Sequence, residues 1–443
     1  MTDQAAAART HVRDAEMEAL RIPGLDGATP LRAIEKVGIV GAGTMGGGIA
    51  MSFANAGIPV AIVDMSQDGL DRGLLLVRKN YDASAAKGRM SASDVEARMG
   101  LLHASLDYGD LAECDLIIEA VFEDLALKRQ VCAEIAAVAK TGAVIATNTS
   151  TLDVDSLARA SGRPEDFIGL HFFSPANIMR LLEVVRGRCT APDVLATVLA
   201  LASRIGKTPV VSGVCYGFIG NRMSEVYMRE TEYLLLEGAT PKQIDTAIEA
   251  LGFAMGPCRM LDMAGIDVGA KTVIEWKKSG RAPTNPSYRV VVDELFRRGR
   301  HGQKTGVGYY RYEERTAVPD PDLDPIIEGL ANAHGVIRRE AIPDDEIVSR
   351  LLYAMVNEGC RILEDGIAYR PGDIDVVWTA GYGFPKDLGG PMFWAEQVGL
   401  AKIVEAILDF QVRFSAEDWV LGSLLSKGAK EGRGLDEVLA GAA

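Results

Sequence analysis

The stretch Val37-Gly38-Ile39-Val40-Gly41-Ala42-Gly43-Thr44-Met45-Gly46 decides the fold. A short β-branched run enters a Gly-x-Gly-x-x-Gly turn, and the turn opens a helical pattern over 45–56. Gly41 permits the tight turn, Gly43 lets the backbone approach a pyrophosphate, and Gly46 allows helix and strand to pack closely. The helix N-terminus adds unpaired N–H groups and a partial positive charge that suit phosphates. Alone, such a turn is weak evidence. Here the next strand ends at Asp64, 21 residues after Gly43. A carboxylate there accepts hydrogen bonds from the adenosine ribose hydroxyls and repels a 2′-phosphate. Met65 and Ser66 follow, with no adjacent Arg to hold that phosphate. The expected cofactor is therefore NAD and not NADP.

Outward from this turn, β-branched runs alternate with amphipathic stretches from Lys36 to Val211. That is the pattern of an α/β, Rossmann-like doubly wound sheet. Strands are expected at 36–40, 60–64, 116–120, 143–147, 167–171, 182–186 and 208–211, with helices at 45–56, 125–139 and 192–205. After Ser212 the chain reads as helices with Gly and Pro stops. This part repeats itself. Glu232–Ala239 is followed by Pro241, Asp245, Gly252, Gly256-Pro257 and Gly265, and Gly359–Ala368 by Pro371, Asp375, Gly381, Gly390-Pro391 and Gly399. The expected fold is thus the Rossmann-like sheet followed by an all-α region made of two similar helical domains. The boundaries read as a linker-like helix (1–35), the NAD-binding domain (36–212), a first helical copy (213–312), a Pro/Asp-rich linker (313–343) and a second copy (344–443).

Ligands of open α/β sheets sit at the carboxyl ends of strands. The strand ending at Ala120 is followed by Val121-Phe122-Glu123, with Lys128 one turn into the next helix. Glu123 and Lys128 are therefore placed to reach the nicotinamide ribose or a substrate.

Of five histidines, His11 and His334 lie in polar stretches, His103 precedes a strand and His301 sits in a basic loop. His171 differs. It ends the apolar strand Phe167-Ile168-Gly169-Leu170, and Glu183 lies twelve residues on within Leu181-Leu182-Glu183-Val184-Val185. A carboxylate in such a run is costly to bury unless it has a partner. Pairing with His171 satisfies both groups and orients the imidazole. Spacing leaves a structural ion pair as good a reading as a catalytic one; the adjoining dinucleotide site favours catalysis. Alcohol oxidation needs a base for the hydroxyl proton while hydride leaves carbon.

Composition sets outer limits. The chain is 443 residues long, 48% hydrophobic and 24% charged. No apolar run approaches the roughly 18–20 residues needed to cross a bilayer; a secretory signal is not expected from the N-terminal residues, nor a peroxisomal or ER address from the C-terminal ones. Six scattered cysteines without a C-x-x-C pair argue against disulfides or zinc and fit a reducing cytoplasm. A net charge of −14 disfavours nucleic acid as a partner, and means that a polyanionic ligand needs local basic groups.

The chain resembles the L-3-hydroxyacyl-CoA dehydrogenase family, and is most similar to the dehydrogenase part of multifunctional fatty-acid oxidation proteins. The motifs that carry this are Gly41–Gly46 with Asp64, Glu119–Asp124 with Lys128, Asn148–Leu152, His171–Pro175 with Glu183, Gly217–Arg222 and Gly302–Gly306. They span Lys36 to the C-terminus. The resemblance implies His171 as general base with Glu183 as its partner, and Ser150 and Asn221 as hydrogen-bond partners of the substrate's 3-oxygen or thioester carbonyl. It also implies an NAD site of Gly41, Gly43, Met45, Gly46, Asp64, Val121, Glu123, Lys128, Ser150 and Ser174. Ser174 stands where many single-function relatives have Asn, which puts its share in question. The loop Gly381-Tyr382-Gly383-Phe384-Pro385 matches the multifunctional proteins and is expected over the acyl or CoA portion. The implied reaction is (S)-3-hydroxyacyl-CoA plus NAD to 3-oxoacyl-CoA, NADH and a proton.

Multifunctional relatives carry a hydratase/isomerase domain where this chain has only residues 1–35, so hydratase activity is expected to be absent. Two helical copies in tandem can satisfy internally the surface through which single-function relatives dimerise, so a monomer, or a protein that does not depend on the usual dimer, is expected. A β-hydroxyacid or sugar-acid dehydrogenase independent of CoA is a competing reading. The His–Glu pair counts against it, because many such enzymes use a catalytic Lys. A catalytically silent NAD- or CoA-binding protein is another, and intact His171, Glu183, Ser150 and Asn221 count against that.

Overall fold

The computed structural model describes residues 3–278, 280 and 282–441. Met1, Thr2, Ala442 and Ala443, at the ends of the first and last expected domains, lie outside the described residues. The chain forms two compact units, residues 3–221 with 362–382, and residues 222–361 with 383–441.

The first unit is built on an eight-stranded sheet of β1 (Val37–Val40), β2 (Val60–Val63), β3 (Leu102–Ser105), β4 (Leu116–Glu119), β5 (Val144–Thr147), β6 (Phe167–Phe172), β7 (Leu181–Val185) and β8 (Thr208–Ser212). Their order is β3-β2-β1-β4-β5-β6-β7-β8. The first six in that order run parallel, β7 is antiparallel to β6, and β8 is parallel to β7. β1, β2, β4 and β5 are buried at every residue. That explains their continuous apolar runs, because crossover helices cover both faces of a parallel sheet. The helix Thr44–Asn55 puts Ile49 and Phe53 one turn apart into the same core as Ile39 and Ile118. Each such side chain contributes about 1.5–3 kcal/mol on burial.

All seven expected strands are present within a residue or so of their expected ends. The eighth, β3, was not expected, and His103 lies inside it and not ahead of it. The sequence Leu-His-Ala-Ser carries no β-branched residue, and an edge strand that is only partly buried needs no apolar run. The N-terminal segment forms the helix Asp3–Glu18, which docks on the helix Pro371–Gly381. There His11 Nε2 meets the buried Asp375 Oδ2 at 2.8 Å, and Arg370 Nη2 donates to the Arg21 carbonyl at 2.6 Å. His11, read as an ordinary polar-stretch residue, is half of this contact.

Most of the second unit is helical. Along the chain, helices Gly220–Leu236, Pro241–Glu249, Pro257–Ala264 and Ile266–Lys278 recur in the same order as Asp344–Glu364, Pro371–Gly381, Pro391–Val398 and Leu400–Arg413, of which Pro371–Gly381 belongs to the first unit. Within the unit the first helices of the two series share buried ion pairs. Fully buried Arg350 reaches Glu230 at 2.9 Å and Glu237 at 2.8 Å, and Arg222 reaches Glu358 at 2.6 Å.

Two features depart from the expected all-α region and linker. An antiparallel ribbon, β9 (Tyr310–Glu313) with β10 (Thr316–Pro319), turns through Glu314 at φ 56°. Asp262 pins it, accepting from the backbone N–H of Tyr309 at 2.8 Å and Tyr310 at 2.9 Å. The Pro/Asp-rich segment then enters the helix Leu323–Ala333, which buries Leu323, Ile327 and Ala331 along one stripe. Helical spacing was present there. The density of Pro and Asp, which cap as readily as they loop, masked it.

Candidate active site

The glycine turn adopts the shape its sequence demands. Gly41 sits at φ 107°, and a Cβ there would lie 2.7 Å from the Ala120 carbonyl oxygen. A Cβ on Gly46 would run into the carbonyl of Gly41, whereas one on Gly43 meets nothing within 4 Å. The middle glycine therefore faces open space, as the approach of a pyrophosphate requires. Asp64 at the end of β2 accepts from the Ala42 N–H at 2.8 Å and the Ser66 N–H at 3.2 Å. Its carboxylate thus ties the turn to the second strand while staying partly exposed. These features fit a dinucleotide held at the head of the helix Thr44–Asn55, with Met45 and Val121 as partly buried apolar flanks. With the ribose contact that the resemblance implies for Asp64, replacement by Asn removes the charge from it, and a charged hydrogen bond is worth about 1.5–3 kcal/mol. The expected result is a KM for NAD raised about tenfold or more and a weaker preference over NADP, measured by steady-state kinetics with both cofactors.

Beside the turn lies a network that sequence reasoning only half resolved. Glu119, fully buried at the end of β4, accepts from Lys128 Nζ, the Val121 N–H and Thr147 Oγ1, each at 2.7 Å. Lys128 was expected to reach ribose or substrate directly. Its ammonium is instead buried, bonded to Glu119 and to the Val121 carbonyl at 3.2 Å, and lies 3.5 Å from Glu123. It supports the site from beneath. Glu123 Oε1 in turn takes donors from Thr149 Oγ1 at 2.7 Å, the Ser150 N–H at 2.8 Å and Ser150 Oγ at 3.1 Å. Burial raises the Glu123 carboxyl, but the Lys128 charge and the donors from Thr149 and Ser150 outweigh it and hold the group below its ordinary value. The Ser150 loop is therefore fastened to the segment that follows β4. Glu119 was legible by the argument used for Glu183, a carboxylate closing an apolar run, yet only its neighbours drew a role.

The antiparallel pairing of β6 and β7 sets His171 directly opposite Glu183. Directly opposed residues have Cβ atoms about 4.5–5.5 Å apart, and the side chains close to 2.7 Å between Nδ1 and Oε2. The other oxygen of Glu183 accepts from the N–H groups of Ile219 at 3.1 Å and Gly220 at 2.9 Å, where the helix Gly220–Leu236 begins. Three donors and a helix N-terminus thus compensate a fully buried carboxylate. With its Nδ1–H given to Glu183, His171 carries its lone pair on Nε2. The rings of Phe173 and Phe218 flank it at 4.3 and 5.8 Å. Phe218 is fully buried and sits at φ 51°, a left-handed conformation that is rare for a bulky residue. Asn148 Oδ1 accepts from the Phe172 N–H at 2.9 Å, joining the loop after β5 to the end of β6. Ser174 is exposed in the loop after β6. Asn221 opens the helix Gly220–Leu236, and its Oδ1 accepts from the Tyr382 hydroxyl at 2.7 Å. Among the described residues no group of three or more His, Cys, Asp or Glu side chains could hold a metal ion.

A doubly wound sheet with a glycine turn, a partly exposed carboxylate at the end of the second strand and a His–Glu pair at the strand ends is the architecture of a dinucleotide-dependent oxidoreductase. Family models agree. The NAD-binding domain of 3-hydroxyacyl-CoA dehydrogenase matches residues 36–215, and the C-terminal domain of the same enzymes matches twice, at 217–312 and 347–434. The chain is 44% identical over 395 residues to the peroxisomal bifunctional enzyme of Cavia porcellus, covering 85% of this chain and 53% of that protein. It therefore spans about half the length of the curated relatives it matches. Among solved structures it is similar to 3-hydroxybutyryl-CoA dehydrogenase from Escherichia coli K12 (TM-score 0.79, 26% identity, 90% of this chain and 99% of that one). It is also similar to the dehydrogenase part of multifunctional enzyme 1 from C. elegans (TM-score 0.67, 29% identity, 94% and 96%). The chain belongs to the 3-hydroxyacyl-CoA dehydrogenase family, and its cofactor is NAD.

Proposed function

We propose that this chain oxidises (S)-3-hydroxyacyl-CoA to 3-oxoacyl-CoA in fatty-acid or related acyl-CoA β-oxidation, with His171 as general base. The observation that carries this is the buried His171–Glu183 pair, whose geometry leaves Nε2 as the open basic atom. The proton of the 3-hydroxyl passes to Nε2, and the Glu183 carboxylate stabilises the imidazolium that results. NAD held by the glycine turn and Asp64 would supply the acceptor for the hydride that leaves C3. Asn221 holds the substrate oxygen while charge develops on it, joined by Ser150 once its hydroxyl turns from Glu123 to the substrate; donors act most strongly where charge develops. Gly41, Gly43, Met45, Gly46, Asp64, Val121, Glu123 and Ser174 line the cofactor side, with Lys128 beneath.

The test is oxidation of NADH against a panel of 3-oxoacyl-CoAs from acetoacetyl-CoA to long, branched and ring-bearing chains, with NADPH as control. Turnover of at least one thioester with NADH, and little with NADPH, is expected. No turnover across the panel overturns the reading.

The division into 36–212, 213–312 and 344–443 is supported by the recurring helix order and the two C-terminal matches. We propose that the protein is a monomer or does not depend on the usual dimer, supported by the Arg350–Glu230–Glu237 contacts within the second unit. Light scattering that shows a tight dimer through residues 217–265 would sink this. A cytoplasmic location is supported by the six cysteines, which form no disulfide among the described residues. No helix among the described residues is long and apolar enough to cross a membrane.

A further inference from the structure

The carboxamide of Asn221 is ambiguous by chemistry. One end accepts, the other donates twice, and the two ends have nearly the same shape. A substrate oxygen that carries developing negative charge needs the N–H end, and a rotated amide would set oxygen against oxygen. Something must choose the end. The Tyr382 hydroxyl donates to Asn221 Oδ1 at 2.7 Å, across 161 residues of sequence. That bond occupies the accepting end and leaves the N–H groups as the ones offered to substrate.

Tyr382 is itself held on three sides. Its ring stacks on Trp378, one turn earlier, at 4.6 Å and 30°, and meets the edge of Phe173 at 5.5 Å. Phe173 is the ring that flanks His171. On the third side is Gly220, where a Cβ would lie 2.6 Å from the phenol oxygen. Glycine next to Asn221 is what allows the ring so close to the helix start. Burial raises the phenol well above its ordinary value, and the charge of Glu183 adds to this, so the hydroxyl keeps its proton.

We infer that Tyr382 is a positioning residue for the dehydrogenase reaction, fixing the Asn221 amide with its N–H groups toward the substrate oxygen. This rests on the reading of Asn221 as a substrate ligand and goes beyond it, because it assigns the choice of amide end to a side chain from the 362–382 segment. It also gives Tyr382 a task different from merely covering the acyl or CoA portion.

The experiment is a double-mutant cycle on the full chain with acetoacetyl-CoA and NADH. Tyr382→Phe keeps the ring and removes the hydroxyl. It is expected to lower kcat/KM about tenfold, the size of one lost hydrogen bond, without changing the dissociation constant of NADH measured by fluorescence. In an Asn221→Ala background the same change is expected to cost nothing further. Asn221→Asp, which still accepts from Tyr382 but has no N–H, is expected to be as poor as Asn221→Ala. An undiminished kcat/KM in Tyr382→Phe overturns the inference, as does an equal loss in both backgrounds. The cycle holds even if Tyr382→Phe lowers the Tm, since both backgrounds carry that cost. If Asn221→Ala has normal activity, the substrate-ligand reading of Asn221 falls, which is a distinguishable failure.

Discussion

Replacing His171 by Gln lowers kcat by about three to four orders of magnitude, the upper range for loss of a general base, while NAD still binds. Glutamine is close in size, and its amide can meet Glu183, so the β6–β7 pairing that sets residue 171 opposite residue 183 is kept. What disappears is an atom that can take a proton near neutral pH. On the proposed reading, cofactor binding rests chiefly on the glycine turn and Asp64, at the ends of β1 and β2, and not on the His171 side chain. The expected result is thus a split, with kcat collapsed and the dissociation constant for NADH within about twofold of wild type. Single-turnover kinetics with NADH and acetoacetyl-CoA read the first, and fluorescence titration reads the second. Unchanged turnover would remove the central claim about the site.

The second large effect is on stability. Lys128→Met leaves the carboxylate of Glu119 at zero exposure without its cation. Breaking a buried pair from one side costs about 3–5 kcal/mol, because the remaining charge is uncompensated. For a domain of 150–250 residues each kcal/mol moves the Tm by about 2–4 °C, so a fall on the order of 10 °C is expected for the first unit. Adding Glu119→Leu should recover much of it, since an apolar pair of similar volume can replace a buried ion pair at little cost. Calorimetry on the single and double variants checks both. Activity need not recover with stability, because Glu123 also loses the nearby ammonium and grips the Ser150 loop less firmly. A Lys128→Met protein that melts like wild type would show that the pair is not the support described here.

Much of the site was legible in the chain because its signals are local. Gly41, Gly43 and Gly46 announce a turn by conformation alone, and Asp64 by its place at the end of the next strand. Within apolar runs, His171 and Glu183 stand out, since a lone polar group there demands a partner. The same rule applied to Glu119, yet it names the need and not the donor. Lys128 was accordingly placed at the cofactor when it serves Glu119 instead. β3 escaped because edge position, not composition, makes it a strand. The ribbon β9–β10 escaped because Asp262, far off in sequence, pins it.

By itself, then, the sequence determined the doubly wound sheet, the cofactor, the catalytic pair as candidates and the recurrence of a helical unit. Each of these rests on spacing within a few turns or strands, where backbone geometry dictates which residues share a face. Only the tertiary structure decided the partners of buried polar groups. It set Glu183 between His171 and the N–H groups of Ile219 and Gly220, Glu119 against Lys128 and Thr147, and Tyr382 against Asn221. Such partners are selected by packing of distant segments, and a desolvated polar atom accepts whichever donor the fold delivers with good geometry.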